Sequence, residues 1–432
     1  MSPNVRWIST TAEYPWQECN ATRVVANTDL TLVQTGTHHQ SWEGFGGCFN
    51  ELGWRALSGL STSRREEVLQ ALFHPRDGCR FNRCRLPIGA SDYAVEWYSH
   101  NEADGDFVME HFSIARDRQL LIPYINAART IRPDLQLFAS PWSPPTWLKS
   151  PKAYNYGTLR WEPKYLQAYA DYFLCFIRAY RDAGIPIHQI HVQNEPSADQ
   201  KFPSCLWSGA QLRDFVRDYL GPLFRREMEP CEIWLGTLNS EDYDGFPHLV
   251  LSDPVAAAYV NGVGVQWAAK AIVQRIAMSL PGVRLMQTEN ECGDGQNSWE
   301  YARYIYNLLW HYITNGVQSY IYWNMVLAPD GMSTWGWRQN AMITVDPTTD
   351  SVTYNPEYFV MKHFAHFVVP GATRLGLQGA WAGNAVAFTN PDGSQVIVVM
   401  NPFPTPSEFM FKAEDSTIVA QLDGYSFNTF VV

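Results

Sequence analysis

Short apolar runs alternate with helix-length amphipathic stretches through the middle of the chain. The runs are GFGG (44–47), FNRCRLPIG (81–89), LQLFAS (135–140), IHQIHVQNE (187–195), EIWLGT (232–237), GVGVQW (262–267), VRLMQTE (283–289) and QSYIYWN (318–324). Each reads as a strand. Between them, SRREEVLQALF, EPKYLQAYADYFLCFIRAYRDAG and GAQLRDFVRDYLGPLF repeat their apolar residues at three- and four-residue spacing, the period of an amphipathic helix. Ala-Gly-Ile-Pro at 183–186 stops one helix just before the next strand. Strands and helices in this alternation predict an α/β fold, a (β/α)8 TIM barrel over 39–367. An open doubly wound sheet is the competitor. No GxGxxG or P-loop falls at a strand-to-helix turn, so its nucleotide-binding versions lose support.

The two chain ends read differently. TRVVA and DLTLVQT stand near the start; TRLGLQG, AVAFTN, QVIVVMN, SEFMFK and YSFNTFVV follow one another near the finish, with turn signals such as NPDG and LDG between them. These predict a β-sandwich side domain from residues 1–38 plus 368–432. Strands drawn from both ends cannot separate freely, so the sandwich is expected to support the barrel.

Composition narrows the partners. A formal net charge of −11 over 432 residues argues against nucleic acid and anionic membrane. No apolar run is long enough for a membrane span, so no stable membrane insertion is expected. The 17 Trp and 22 Tyr suit a protein that stacks the flat apolar faces of sugar rings. The stretch MSPNVRWISTTAEYPW has no basic-then-apolar leader, and the eight Cys contain no CxxC pair. Free buried thiols in a cytoplasmic protein follow, or a secreted protein if a leader was trimmed. The His and Cys spacings form no ligand set, so neither metal nor cofactor is expected. Oligomeric state is left open.

Chemistry in such a barrel sits where strands end. Asp92 follows the second run, Trp142 the third, Asn194 and Glu195 end the fourth, Gln266 and Trp267 the sixth, Glu289 the seventh, and Trp323 and Asn324 the eighth. Together they imply one aromatic-lined cleft containing carboxylates. Runs four and seven lie nearly opposite in an eight-stranded barrel, so Glu195 and Glu289 can face each other across its mouth. Opposed carboxylates suit hydrolysis of a glycosidic bond, one protonated as acid and one ionised. Glu291 lies just beyond Glu289, but Glu289 ends the apolar run and is favoured.

GFGGCFNE (44–51), RLPIGASDY (85–93), FASPWSPPTWLK (138–149), NEPSA (194–198), YVNGVGVQW (259–267), QTENECG (287–293), YIYWN (320–324) and the long stretch 345–377 resemble glycoside hydrolase family 30 along nearly the whole chain. The resemblance implies a retaining mechanism with Glu195 as acid/base and Glu289 as nucleophile, their carboxyls ~5–5.5 Å apart. It implies that Asn194 binds the sugar 2-hydroxyl, that Trp142 and Trp323 line the innermost subsite, and that Asn340 in WRQN contacts sugar. Glu51 stands where glucosylceramidase members have a shorter Asp that grips sugar hydroxyls, Gln266 where they have His, and Ala268 where they have an aromatic. The expected activity is an exo-acting β-glucosidase on a β-1,6-linked fragment or a glucosyl lipid. Alternatives are an endo-β-1,6-glucanase or galactanase, or a β-xylosidase. A non-catalytic carbohydrate-binding barrel is disfavoured, because both carboxylates are present.

Overall fold

In the computed structural model, eight parallel strands close on themselves. They are β1 (Gly44–Cys48), β2 (Arg83–Pro87), β3 (Gln136–Ser140), β4 (Gln189–His191), β5 (Glu232–Leu238), β6 (Val260–Gln266), β7 (Arg284–Glu289) and β8 (Ser319–Asn324). Each overlaps one of the apolar runs. The structure describes residues 5–25, 30–413 and 416–432. Ala26 and Asp29, which the runs TRVVA and DLTLVQT include, lie outside the described residues. Closure needs a bare backbone at β1. A Cβ on Gly46 would lie 1.5 Å from the Arg83 carbonyl oxygen on β2, so only glycine lets these strands meet.

The helices form where the spacing put them. SRREEVLQALF lies in the helix Thr62–Phe73, capped by Ser61. The long amphipathic stretch is the helix Pro163–Asp182, which buries Leu166, Phe173 and Ile177 on one face. It ends as Gly184 turns to φ +78°. The stretch beginning at Gly209 is a helix with a five-residue π segment, Val216–Leu220, inside it. No helix among the described residues is long and apolar enough to cross a membrane.

The side domain is a seven-stranded sheet faced by a three-stranded one. The N-terminal strand Arg6–Thr10 pairs with the C-terminal strand Phe427–Val431, so both chain ends are built into it. Val33–Ser41 also belongs to the large sheet, pairing with Thr373–Gln378. The continuous apolar runs AVAFT and QVIVVM have a plain cause. Val386, Phe388, Val396 and Val398 point into the barrel's core, while Ala385, Ala387, Ile397 and Val399 point into the sandwich core. A strand with period-two side chains, covered on both faces, needs apolar residues at every position. Tyr306, on a barrel helix, donates to the carbonyls of Asn384 and Val398 across the junction.

Candidate active site

FNRCRLPIG places a charged side chain inside a buried strand. Arg85 on β2 is 0% exposed, and a guanidinium is held there only if its donors are matched. Nε and Nη2 donate to Ser140 Oγ at 3.0 and 2.8 Å. Nη2 also donates to Asn194 Oδ1 at 2.6 Å, and Nη1 donates to Glu289 Oε2 at 2.7 Å. The guanidinium carbon lies 4.4 Å from the Trp142 ring centre, a cation–π contact. One cation therefore ties together the ends of β2, β3, β4 and β7.

The two carboxyls differ in what supports them. Glu289, the last residue of β7, has Arg85 on one oxygen and accepts from Trp267 Nε1 at 3.0 Å on the other. Glu195, just past β4, has a left-handed backbone at φ 51° and accepts from Gln266 Nε2 at 3.1 Å. Trp267 is also left-handed, at φ 50°. Non-glycine residues in that region store strain, which clusters at functional sites.

Burial raises both carboxyls, and at Glu289 the Arg85 charge and the hydrogen bonds from Trp267, Arg85 and Gln266 oppose it. At Glu195 burial and then the Glu289 charge push the carboxyl up to about 8, against weaker opposition from Gln266 and Arg85. Glu289 is thus the better anion and Glu195 the better acid. Gln266 touches both groups, because a register shift between β6 and β7 sets it opposite Glu289.

These groups open into a cleft of about 350 Å³. Asp92, Trp142, Asn194, Glu195, Trp267, Glu289 and Trp323 all line it. Trp142 and Trp323 stack at 5.5 Å between ring centres. The Trp323 N–H is taken by Gln339 Oε1 at 2.8 Å, so this indole offers its ring rather than a donor. Asn194 Oδ1 accepts from Arg85, Thr237 and Gln266. Three donors on one oxygen fix the amide orientation, and the residue lines the cleft. Asp92 Oδ1 is buried with no partner among the described residues. Burial, and then the Glu289 charge, raise this carboxyl.

Four expected sugar contacts lie elsewhere. Glu51 is 1% exposed and accepts from Arg116 Nε and Nη2, each at 3.0 Å, and from the Val95 N–H. Its longer side chain reaches an arginine outside the cleft, whereas Asp92 Oδ1, in a residue that lines the cleft, has no partner among the described residues. Gln266 lies behind the carboxyls, with Oε1 accepting from Thr288 Oγ1 at 2.8 Å. Asn324 is fully buried between Asn50 and Gln339. Asn340 holds the loop after β7 through the Gly295 N–H and donates to Glu357 at 2.6 Å; its neighbour Gln339 lines the cleft instead. Glu291 is paired with Lys270 and accepts from Tyr304, so it points away from Glu289.

Arg85, Phe202, Cys292, Trp335, Trp337 and Gln339 belong to the site without having been singled out from sequence. Arg85 had a usable signal, a cation amid an apolar strand. The others sit on loops, where no periodicity reports direction.

A closed parallel barrel with paired, differently supported carboxyls at opposite strand ends defines a glycoside hydrolase, an enzyme that acts on carbohydrate. The chain belongs to glycosyl hydrolase family 30: the family's TIM-barrel domain matches residues 42–368 and its beta sandwich domain residues 371–430. It is 28% identical over 434 aligned residues to mouse lysosomal acid glucosylceramidase, covering 93% of this chain and 83% of that one. It is 26% identical to the endo-1,6-beta-D-glucanase neg1 of Aspergillus fumigatus, covering 87% and 81%. Among solved structures, SrfJ from Salmonella typhimurium superposes with a TM-score of 0.91 at 25% identity, covering 99% of each chain. An endo-beta1,6-glucanase at 22% identity shares the fold, with a TM-score of 0.88 over 99% of each chain.

Proposed function

We propose that the protein is a retaining, exo-acting β-glucosidase. The observation that carries this reading is the unequal support of Glu195 and Glu289. Glu289, held by Arg85 and Trp267, attacks the anomeric carbon while Glu195 gives its proton to the leaving oxygen. A covalent glycosyl-enzyme forms, and Glu195 then takes a proton from the water that releases the sugar. Asn194 binds the 2-hydroxyl through Nδ2, a contact that strengthens as positive charge develops at the anomeric carbon. Asp92, which lines the cleft, hydrogen-bonds a sugar hydroxyl, and Trp142 and Trp323 cover the apolar face of the ring. The cleft volume, about 350 Å³, lies at the small end of ligand sites and favours a terminal sugar over a long polymer segment.

An endo-acting β-1,6-glucanase is the second reading, favoured by the similarity to the Aspergillus enzyme of that name. Incubation with aryl β-glucoside, β-xyloside, β-fucoside and β-galactoside, and with β-1,6-glucan, separates the two. Single glucose units with retained anomeric configuration are expected. A ladder of oligomers from the glucan selects the endo reading, and silence on every substrate overturns both.

A further inference from the structure

The loop that carries Glu195 continues into an arc of aromatic rings. Phe202 on this loop packs against Trp335 at 5.1 Å between ring centres, Trp335 against Trp337 at 5.3 Å, and Trp337 against Trp267 at 6.1 Å. The rings come from the segments after β4, β8 and β6, and all of them line the cleft. A retaining acid must touch the leaving oxygen. The wall that begins with Phe202, on the loop just past Glu195, is therefore the leaving-group side, and the Trp142–Trp323 stack is the glycone side.

The chemistry of that wall is mixed. Ser197, Gln200 and Asn239 line the cleft together with the rings, and the Lys201 ammonium sits 4.9 Å from the Trp335 ring centre. Flat apolar faces interleaved with hydroxyl and amide groups match a pyranose, which has an apolar C–H face and a polar rim. A long alkyl chain needs a continuous apolar surface leading away from the cleft. The large exposed hydrophobics among the described residues, such as Val108, Met228 and Met278, do not line it.

We propose that this arc is a subsite for a sugar ring as leaving group, so that the substrate is a β-linked disaccharide or short oligosaccharide rather than a glycosyl lipid. The proposal rests on the retaining-glucosidase reading above. Trp335 is the residue to test, because Trp337 separates it from Trp267, whose N–H holds Glu289.

The experiment compares kcat/KM on substrates that share a glucosyl unit: β-glucosyl fluoride, whose leaving group has no ring, a β-1,6-linked glucose disaccharide, and octyl β-glucoside. The wild type is expected to prefer the disaccharide to the octyl glucoside. Trp335→Ala is expected to lower the ratio of disaccharide to fluoride kcat/KM about tenfold, the scale of one ring contact. Trp335→Phe keeps a ring and is expected to recover most of that ratio, which separates lost stacking from a misfolded loop. A ratio that moves less than about threefold, no recovery in Trp335→Phe, or preference for the octyl glucoside overturns the subsite. A wild type inert even to the fluoride overturns the glucosidase reading itself, an outcome distinguishable from a failed subsite, which leaves fluoride turnover in place.

Discussion

Arg85 Nη1 and Glu289 Oε2 form an ion pair at 2.7 Å in which the arginine side chain has no exposed surface. The guanidinium also serves Ser140 and Asn194, so its planar fork is matched on more than one side. A lysine ammonium carries the same charge but cannot reach these partners together.

Arg85→Lys is therefore expected to lower stability by about 3 kcal/mol, the cost of breaking a buried pair, read as a drop in the urea midpoint. The Arg85 charge holds the Glu289 carboxyl down, so weakening it shifts the acid limb of kcat/KM to higher pH. Wild-type stability with an unmoved acid limb would show that this ion pair does not set the nucleophile.

Neutral replacements separate the carboxyl roles. Glu289→Gln is expected to reduce turnover at least about 10³-fold on every substrate, since no covalent intermediate can form. Glu195→Gln is expected to lower kcat/KM about 10²–10⁴-fold where the leaving group needs a proton and far less with glucosyl fluoride, because kcat/KM reports the bond-breaking step and not the later release of the sugar by water. Equal losses on both leaving groups would remove Glu195 from the acid role. Because the Glu289 charge raises Glu195, Glu195 in Glu289→Gln should titrate at lower pH, visible by carbon-13 NMR of labelled glutamate.

The pH response follows from the same shift. Glu195 must be protonated to act as acid, so kcat/KM is expected to fall as pH rises past about 8. Stability carries the same sign. The folded-state value is raised above the ordinary carboxylate value, so the native state binds the extra proton in that window. The contribution is complete below the ordinary value and is lost as pH rises through about 8. Glu195→Gln should lose less Tm between about pH 5 and 8 than the wild type; an equal loss would place the titration elsewhere.

Asp92 and Glu51 provide a contrast. Asp92→Asn is expected to lower kcat/KM up to about tenfold, the scale of one hydrogen bond, with little change in Tm. Glu51→Gln removes the buried charge that pairs with Arg116 and is expected to lower Tm, with a smaller effect on kcat/KM. The opposite pattern would return Glu51 to the sugar pocket.

Much of this organisation is legible in the chain. The eight barrel strands coincide with the apolar runs, because strands covered on both faces need apolar residues at successive positions. Asn194, Glu195 and Glu289 stand at strand ends because polar groups at the ends of buried strands have few other places to be satisfied. Glu51 is expected in the sugar pocket from the family resemblance alone, and the structure sets it outside the cleft against Arg116. It sits near Cys48, where β1 ends, but nothing in GFGGCFNE reveals that Arg116, distant in sequence, takes its charge. Gln339 and Asn340 show the limit at a single residue. They are adjacent, yet one lines the cleft and the other holds a loop.

The sequence by itself determined the barrel, the sandwich made from both chain ends, and the pair of carboxylates, since hydrophobic periodicity and strand-end chemistry are local properties. Only the tertiary structure decided which carboxyl has the partners that favour its anion, which side chains are satisfied behind the cleft, and which rings meet across its mouth. Those outcomes depend on partners such as Arg85 with Glu289 and Phe202 with Trp335, brought together by barrel closure from distant parts of the chain. Electrostatics and desolvation act through space, and no pattern along the sequence records those distances.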